Sequence, residues 1–196
     1  VINGNFYIKG FGNSLFSETD LTHTISILKE KGIEKITGNV IADDSYFDEV
    51  YSRMDWIPDE VANVTLPPVS ALIYENNRTV VARKYKRRIR NYSVSIDNPP
   101  KFIAKVVREK LINHQILVDG TSEPGVTPPE TIMIHEVKVP LIEAIKFINK
   151  NSDNFMAECL FKTIGAEVSG EQGNSFYSQQ AILGYIRDNS IYSQGT

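Results

Sequence analysis

A single cysteine, Cys159, leaves the chain no internal disulfide, so its thiol content does not report on compartment. Cys159 falls on the apolar side of a helical pattern and reads as a small buried hydrophobe. No stretch of about 18 apolar residues occurs, so no transmembrane segment is expected. A signal-peptide pattern is also missing, since Val1-Ile2-Asn3-Gly4 reads as the edge of a strand. Charge of one sign is not in excess: the net charge of −3 argues neither for nor against an acidic or basic partner. The three histidines, His23, His114 and His135, are too scattered for metal-ligand spacing. No repeat or low-complexity segment interrupts the chain. What remains, 41% hydrophobic and 23% charged residues over 196 positions, is ordinary globular composition with room for one large or two small domains.

The patterning alternates strands and helices. Asn5 to Gly12 reads as a strand ending in a glycine turn. Ser17-Glu-Thr-Asp20 has capping-box spacing, and Leu21, Ile25 and Leu28 continue a helical face that Gly32 stops. Ile33 to Ile41 reads as a second strand, followed by a polar turn at Asp43 to Asp48. Ile73-Tyr74, Thr79 to Val81 and Tyr92 to Ile96 read as short strands. Pro99-Pro100 opens a helix whose face is Phe102, Ile103, Val106, Val107 and Leu111. Ile116 to Val118 is a strand, and Gly120 to Pro129 a Pro/Gly-rich loop. Leu141, Ile145 and Ile148 lie on one helical face, and Phe155, Met156, Cys159, Leu160 and Ile164 on another. Ser152-Asp153-Asn154 falls between these two helices, with Ser152 or Asp153 as N-cap of the second. Gly173 to Asp188 is a last helix.

Arg83 to Arg90 is the one charge cluster. A nucleic-acid or polyanion patch is its sharp reading, and a solvated strand face its plain one. The rest of the chain is net acidic, so nucleic acid is not expected as a partner, while an anionic cell-wall polymer stays open.

Three stretches resemble one family. His135, Val139-Pro-Leu141 and Asn151-Ser-Asp-Asn-Phe-Met-Ala-Glu158 are similar to the second active-site motif of penicillin-recognising serine enzymes. More narrowly, they resemble the D-alanyl-D-alanine carboxypeptidase/endopeptidase family of class C low-molecular-mass penicillin-binding proteins. Gly32-Ile-x-x-Ile-x-Gly38-x-Val40, followed by Asp43-Asp-Ser-x-Phe-Asp48, matches a domain inserted into that family's catalytic domain. Pro68-Val-Ser-Ala-Leu72 is the third match.

The resemblance implies an α+β fold. An inserted strand-helix-strand domain, mostly residues 1–134, would join the helical part of a penicillin-binding/serine β-lactamase-like transpeptidase domain at 135–196. A further inserted domain of many relatives would be shortened or absent near 78–98. It also implies a serine-type hydrolase that trims peptidoglycan stem peptides through an acyl-enzyme, outside the cytoplasmic membrane and without a cofactor. The intact enzyme would bind β-lactam antibiotics. Ser152 would then be the proton-relay hydroxyl and Asn154 the amide that holds substrate, with Asp153 pointing away. Tyr46 and Met54 would line the subsite for the substrate's side chain. His135 would be structural.

Two required elements are not where that chemistry needs them. Ser26-Ile-Leu-Lys29 has Ser-x-x-Lys spacing but lies inside an amphipathic helix, and Lys162-Thr-Ile-Gly165 imitates Lys-Thr-Gly only with an insertion. Both are decoys. The nucleophile is expected before Val1 and the third motif beyond Thr196, as in a central fragment that does not acylate alone. The competing expectation is a non-catalytic cell-wall-binding module on the same scaffold.

Overall fold

The computed structural model describes residues 1–52, 66–86 and 88–191. Its α/β part opens with β1 (Phe6–Lys9), crosses over through α1 (Glu18–Glu30) and returns as β2 (Lys35–Ile36) and β3 (Val40–Asp43). A second crossover through α2 (Pro99–Asn113) leads to β6 (Leu117–Val118) and β7 (Ser122–Pro124). Every pairing among these strands is parallel, in the orders β1-β3-β7 and β2-β6. Parallel neighbours need a long connection, and the two helices supply it. The helix starts follow from capping. Ser17 accepts from the Asp20 amide while the Asp20 carboxylate accepts from the Ser17 amide at 2.9 Å, and Asn98 caps α2.

The single strand expected from Ile33 to Ile41 is two, broken around Gly38, and the same break separates β6 from β7 around Gly120. One cause explains both. The backbones approach so closely that a Cβ on Gly38 would lie 2.5 Å from the Gly4 carbonyl carbon, and one on Gly120 2.4 Å from the Gly38 carbonyl oxygen. Asparagine side chains mend the ladder there: the Asn39 amide donates to Asn5 Oδ1 and the Thr121 amide to Asn39 Oδ1, both at 2.8 Å. β7 falls in the stretch expected to be loop. Its Pro124 is tolerable because β7 is an edge strand.

Leu21, Ile25 and Leu28 of α1, Ile103, Val107 and Leu111 of α2, and Ile36, Val40 and Ala42 of the strands make the main core. Each is at most 1% exposed. A second cluster gathers Val69, Ile73, Phe155, Met156 and Cys159. The segment from Leu66 to Asn77 stitches the two together, because Leu72 and Tyr74 belong to the first core and Val69 and Ile73 to the second. It lies against the end of β1, where a Cβ on Gly10 would come within 2.2 Å of Leu72 Cα.

Beyond that segment β4 (Arg78–Tyr85) and β5 (Arg88–Ser95) form an antiparallel hairpin longer than the short strands expected. The chain then ends in three helices, α3 (Leu141–Asn151), α4 (Asn154–Ser169) and α5 (Ser175–Asp188). Ser178 of α5 is fully buried and donates to the Phe161 carbonyl of α4 at 2.7 Å. α3 differs from its expected packing. None of its residues is fully buried, Ile148 alone touches the second cluster, and Leu141, Ile142 and Phe147 face solvent. That cluster also draws Leu15, Leu66, Val69 and Ile73 from before residue 135. Among the described residues no helix is long and apolar enough to cross a membrane.

Candidate active site

α3 and α4 meet with almost no loop between them. Ser152 closes α3 in the left-handed region, at φ 51 and ψ 46, and its amide reaches back to the Ile148 carbonyl. A residue with a Cβ gives up about 1–2 kcal/mol to sit there. The next residue starts α4: Asp153 accepts from the Met156 amide at 2.9 Å, which settles the N-cap in favour of Asp153 over Ser152. Below the junction Phe155, Met156 and Cys159 are buried and anchor the helix.

This arrangement divides the triplet. Asp153 is committed to the backbone, while Ser152 and Asn154 on either side of it are exposed. Among the described residues neither of those two side chains makes a hydrogen bond. Both line a cleft of about 270 Å³ together with Asn151, Asp153 and Phe155.

The opposite wall of the cleft is Leu66, Pro67, Asn76 and Arg78, none of which stood out in the sequence. Ile73-Tyr74, expected as a short strand, lies outside the named strands, and directly after the extended Tyr74 the chain makes a left-handed turn. Glu75, Asn76 and Asn77 have φ of 50, 53 and 51. Three consecutive strained residues need a clamp. Asn77 supplies it: fully buried, it donates to the Pro68 carbonyl and to Ser70 Oγ, both at 2.8 Å, and accepts from the Tyr74 amide. The only hint in the sequence is the Asn-Asn pair, since asparagine tolerates this region better than most residues.

Tyr46 lies elsewhere. Its hydroxyl donates to Glu167, and its ring meets Phe11 and Phe47 at centroid distances of 5.2 and 5.6 Å. Glu167 follows Asn154 by 13 positions on one helix, about 20 Å along its axis. The structure therefore does not bring Tyr46 into the Ser152 cleft. Met54, its expected neighbour in a subsite, lies outside the described residues.

Around Tyr46 the chain is tightly held. Asp48 and Gly173 exchange contact through the Asp48 amide at 3.0 Å from the Gly173 carbonyl, and the Gly173 amide donates to the Tyr46 carbonyl. Lys162 is 2% exposed and donates to Asp48 at 2.5 Å and to the Val50 carbonyl at 2.7 Å. That burial excludes Lys162-Thr-Ile-Gly165 as a substrate-binding strand. Ser26 is equally committed: its hydroxyl donates to the Thr22 carbonyl within α1, and Lys29 reaches to Gln115. His135 packs edge-on against His23 of α1 at 6.4 Å.

The adjacent carboxylates Asp43 and Asp44 titrate in opposite directions. Burial disfavours the Asp43 anion, yet hydrogen bonds from Ser45 and Thr127 outweigh it and hold the pKa down at about 2. Burial dominates at Asp44 and raises it to about 6, against hydrogen bonds from Leu72 and Tyr51 and the charge of Lys162. Burial likewise pushes the Cys159 thiol well above its ordinary value, so it is an inert packing group. Among the described residues no group of three or more His, Cys, Asp or Glu could hold a metal ion.

Comparison with known proteins gives a consistent result. The model of the D-Ala-D-Ala carboxypeptidase 3 (S13) family matches residues 1–88 and 82–183, two stretches that meet in the β4–β5 hairpin. The D-alanyl-D-alanine carboxypeptidase DacB of Haemophilus influenzae is 20% identical over 226 aligned positions, which cover 83% of this chain and 46% of that protein. The crystal structure of penicillin binding protein 4 (dacB) from the same organism superposes with a TM-score of 0.78 at 15% identity. That superposition covers 98% of this chain and 55% of the other. The same protein complexed with a novel β-lactam gives a TM-score of 0.75 at 14% identity, covering 98% and 53%. The chain thus has that fold and spans about half the length of these relatives.

Proposed function

The chain belongs to the D-Ala-D-Ala carboxypeptidase 3 (S13) family, and from that premise we propose that it forms part of a serine-type D-Ala-D-Ala carboxypeptidase or endopeptidase. The enzyme would act outside the cytoplasmic membrane on peptidoglycan stem peptides, through an acyl-enzyme. One observation carries the reading. Two uncommitted polar side chains, Ser152 and Asn154, share a cleft on either side of a residue that serves the fold.

In this reading the Ser152 hydroxyl passes the proton between the attacking serine, its lysine base and the leaving amine, while the Asn154 carboxamide orients the substrate's peptide groups. The nucleophile with its lysine, and the strand that receives the terminal carboxylate, come from outside these 196 residues. Residues 135–196 are then the helical part of the penicillin-binding domain. The apolar side chains that α3 and α5 leave exposed, including Leu141, Ile142, Phe176 and Leu183, are where its remainder packs. Tyr46, bonded to Glu167, holds the seam between the α/β part and α4, and with Met54 it would line the subsite for the substrate's side chain.

Labelling with a fluorescent penicillin, followed by denaturing electrophoresis, tests the assignment. The 196-residue chain alone stays unlabelled, and a protein that also carries Ser-x-x-Lys and Lys-Thr-Gly elements is labelled at the serine of Ser-x-x-Lys. A covalent adduct on Ser152 or Ser26 overturns these roles. A complete protein that never labels supports a binding module on the same scaffold instead.

A further inference from the structure

The β4–β5 hairpin touches the cleft only through Arg78 at its base, and its chemistry is unlike the rest of the chain. Residues 78–95 hold seven of the 21 Lys and Arg and none of the 24 Asp and Glu. Register decides how these charges are displayed. Directly paired residues share a face, so Arg83 opposite Arg90, Tyr85 opposite Arg88 and Val81 opposite Tyr92 lie on one side of the ribbon. Lys84 opposite Ile89 and Val80 opposite Ser93 lie on the other.

From Ala82 to Ser93 every described residue is exposed. Like charges directly across a ladder oppose pairing, and a lone two-stranded ribbon is marginal in water. Aromatic rings offset part of the repulsion: Arg90 lies 5.6 Å from the Tyr85 centroid and Arg83 6.0 Å from that of Tyr92. Among the described residues none of Arg83, Lys84, Lys86, Arg88 and Arg90 is ion-paired to a carboxylate. The counter-charge is therefore expected from outside the chain.

We propose that the hairpin docks the protein onto an anionic lipid bilayer. Charge complementarity requires an anionic surface, and the apolar content of the tip selects a bilayer over a soluble polyanion. Ile89 is 74% exposed and Tyr85 57%, each flanked by cations. A phosphodiester polymer in water has no use for Ile89, whereas at a bilayer Ile89 and Tyr85 enter the headgroup layer and the arginines meet its phosphates. Among the described residues the ribbon is exposed from Ala82 to Ser93, so it can change without cost to either core.

Vesicle co-sedimentation of the 196-residue chain tests this. The chain binds phosphatidylcholine vesicles that contain phosphatidylglycerol, does not bind phosphatidylcholine alone, and is released by high salt. Replacing Arg83, Arg88 and Arg90 together by Gln lowers the partition coefficient about a hundredfold, from the contribution of each basic residue near an anionic surface. Ile89→Ser lowers it severalfold with the charge unchanged, and both variants keep the parent melting midpoint. Failure of the parent to bind the anionic vesicles overturns the proposal. So does competition by soluble inorganic polyphosphate that is as strong against the parent as against Ile89→Ser, since the hairpin would then be a polyanion site.

Discussion

At its N-terminal end α4 leaves Ser152 and Asn154 exposed and, among the described residues, without a hydrogen-bond partner, while past its middle the same helix buries Lys162 to 2% and ties it to Asp48 and Val50. The first arrangement forgoes stability and keeps polar groups available. The second uses Lys162 to hold the segment after β3 to the helices. Both ends carry a serine-enzyme look-alike in the sequence, Ser-x-Asn at one and Lys-Thr-x-Gly at the other. Only the burial and bonding of their side chains separate a candidate site from a structural joint.

That contrast can be broken from its locked side first. Asp48→Ala leaves the Lys162 ammonium buried with the Val50 carbonyl and the Phe47 ring but no carboxylate bonded to it, and stability should fall by about 3 kcal/mol, as expected when one member of a buried pair is stranded. The denaturant midpoint reports it. A loss under about 1 kcal/mol would mean that the joint contributes no more than a surface ion pair.

The paired carboxylates beside the joint sharpen it by pH. Asp43, held near 2, contributes stability that is present above about pH 4 and lost as pH falls toward 2. Asp44, raised to about 6, acts in the other sense: the fold retains a proton that the unfolded chain releases, so stability declines as pH rises from about 4 to 6. The decline should be on the order of 2 kcal/mol, and Asp44→Asn should flatten it. A midpoint that rises across that window in the parent would contradict the assignment.

Smaller effects are expected at the open end. Asp153→Ala removes the cap of α4 and should cost about 0.5–2 kcal/mol of stability, so its effect is on the fold even though it stands inside the motif. Tyr46→Phe removes the hydroxyl bonded to Glu167 and should cost about 0.5–1.5 kcal/mol. In a complete enzyme a shift in preference among peptide side chains would place Tyr46 in the subsite, and an unchanged preference would leave it a packing residue.

The helices and the strand-helix-strand order were legible because caps and apolar periodicity are local signals. Ser17, Gly32, Pro99-Pro100 and the Leu21-Ile25-Leu28 face each act within a few residues of themselves. Features that depend on distant backbone were hidden. Gly38 splits a strand because Gly4 lies against it, and β7 exists because β3 pairs with a stretch that reads as loop. The far wall of the cleft was hidden for the same reason: the left-handed turn at Glu75 to Asn77 is held by contacts of the Asn77 side chain with Pro68, Ser70 and Tyr74. Ser152, Asn154 and Tyr46 all came from a resemblance, and a motif does not say which end of a helix its neighbours touch: Ser152 and Asn154 share a cleft, while Tyr46 meets Glu167 farther along α4.

The division of labour within Ser152-Asp153-Asn154 is the central claim, and one paired measurement tests it. In a protein carrying all three motifs, the second-order rate of acylation by fluorescent penicillin is measured beside the denaturant midpoint for Ser152→Ala, Asp153→Ala and Asn154→Ala. Ser152→Ala should acylate about 10²–10⁴-fold more slowly, about 3–5 kcal/mol of transition-state stabilisation, with an unchanged midpoint. Asn154→Ala should follow it, and Asp153→Ala should lower the midpoint and leave the rate per folded molecule intact. A Ser152→Ala protein that acylates at the parent rate would contradict the account.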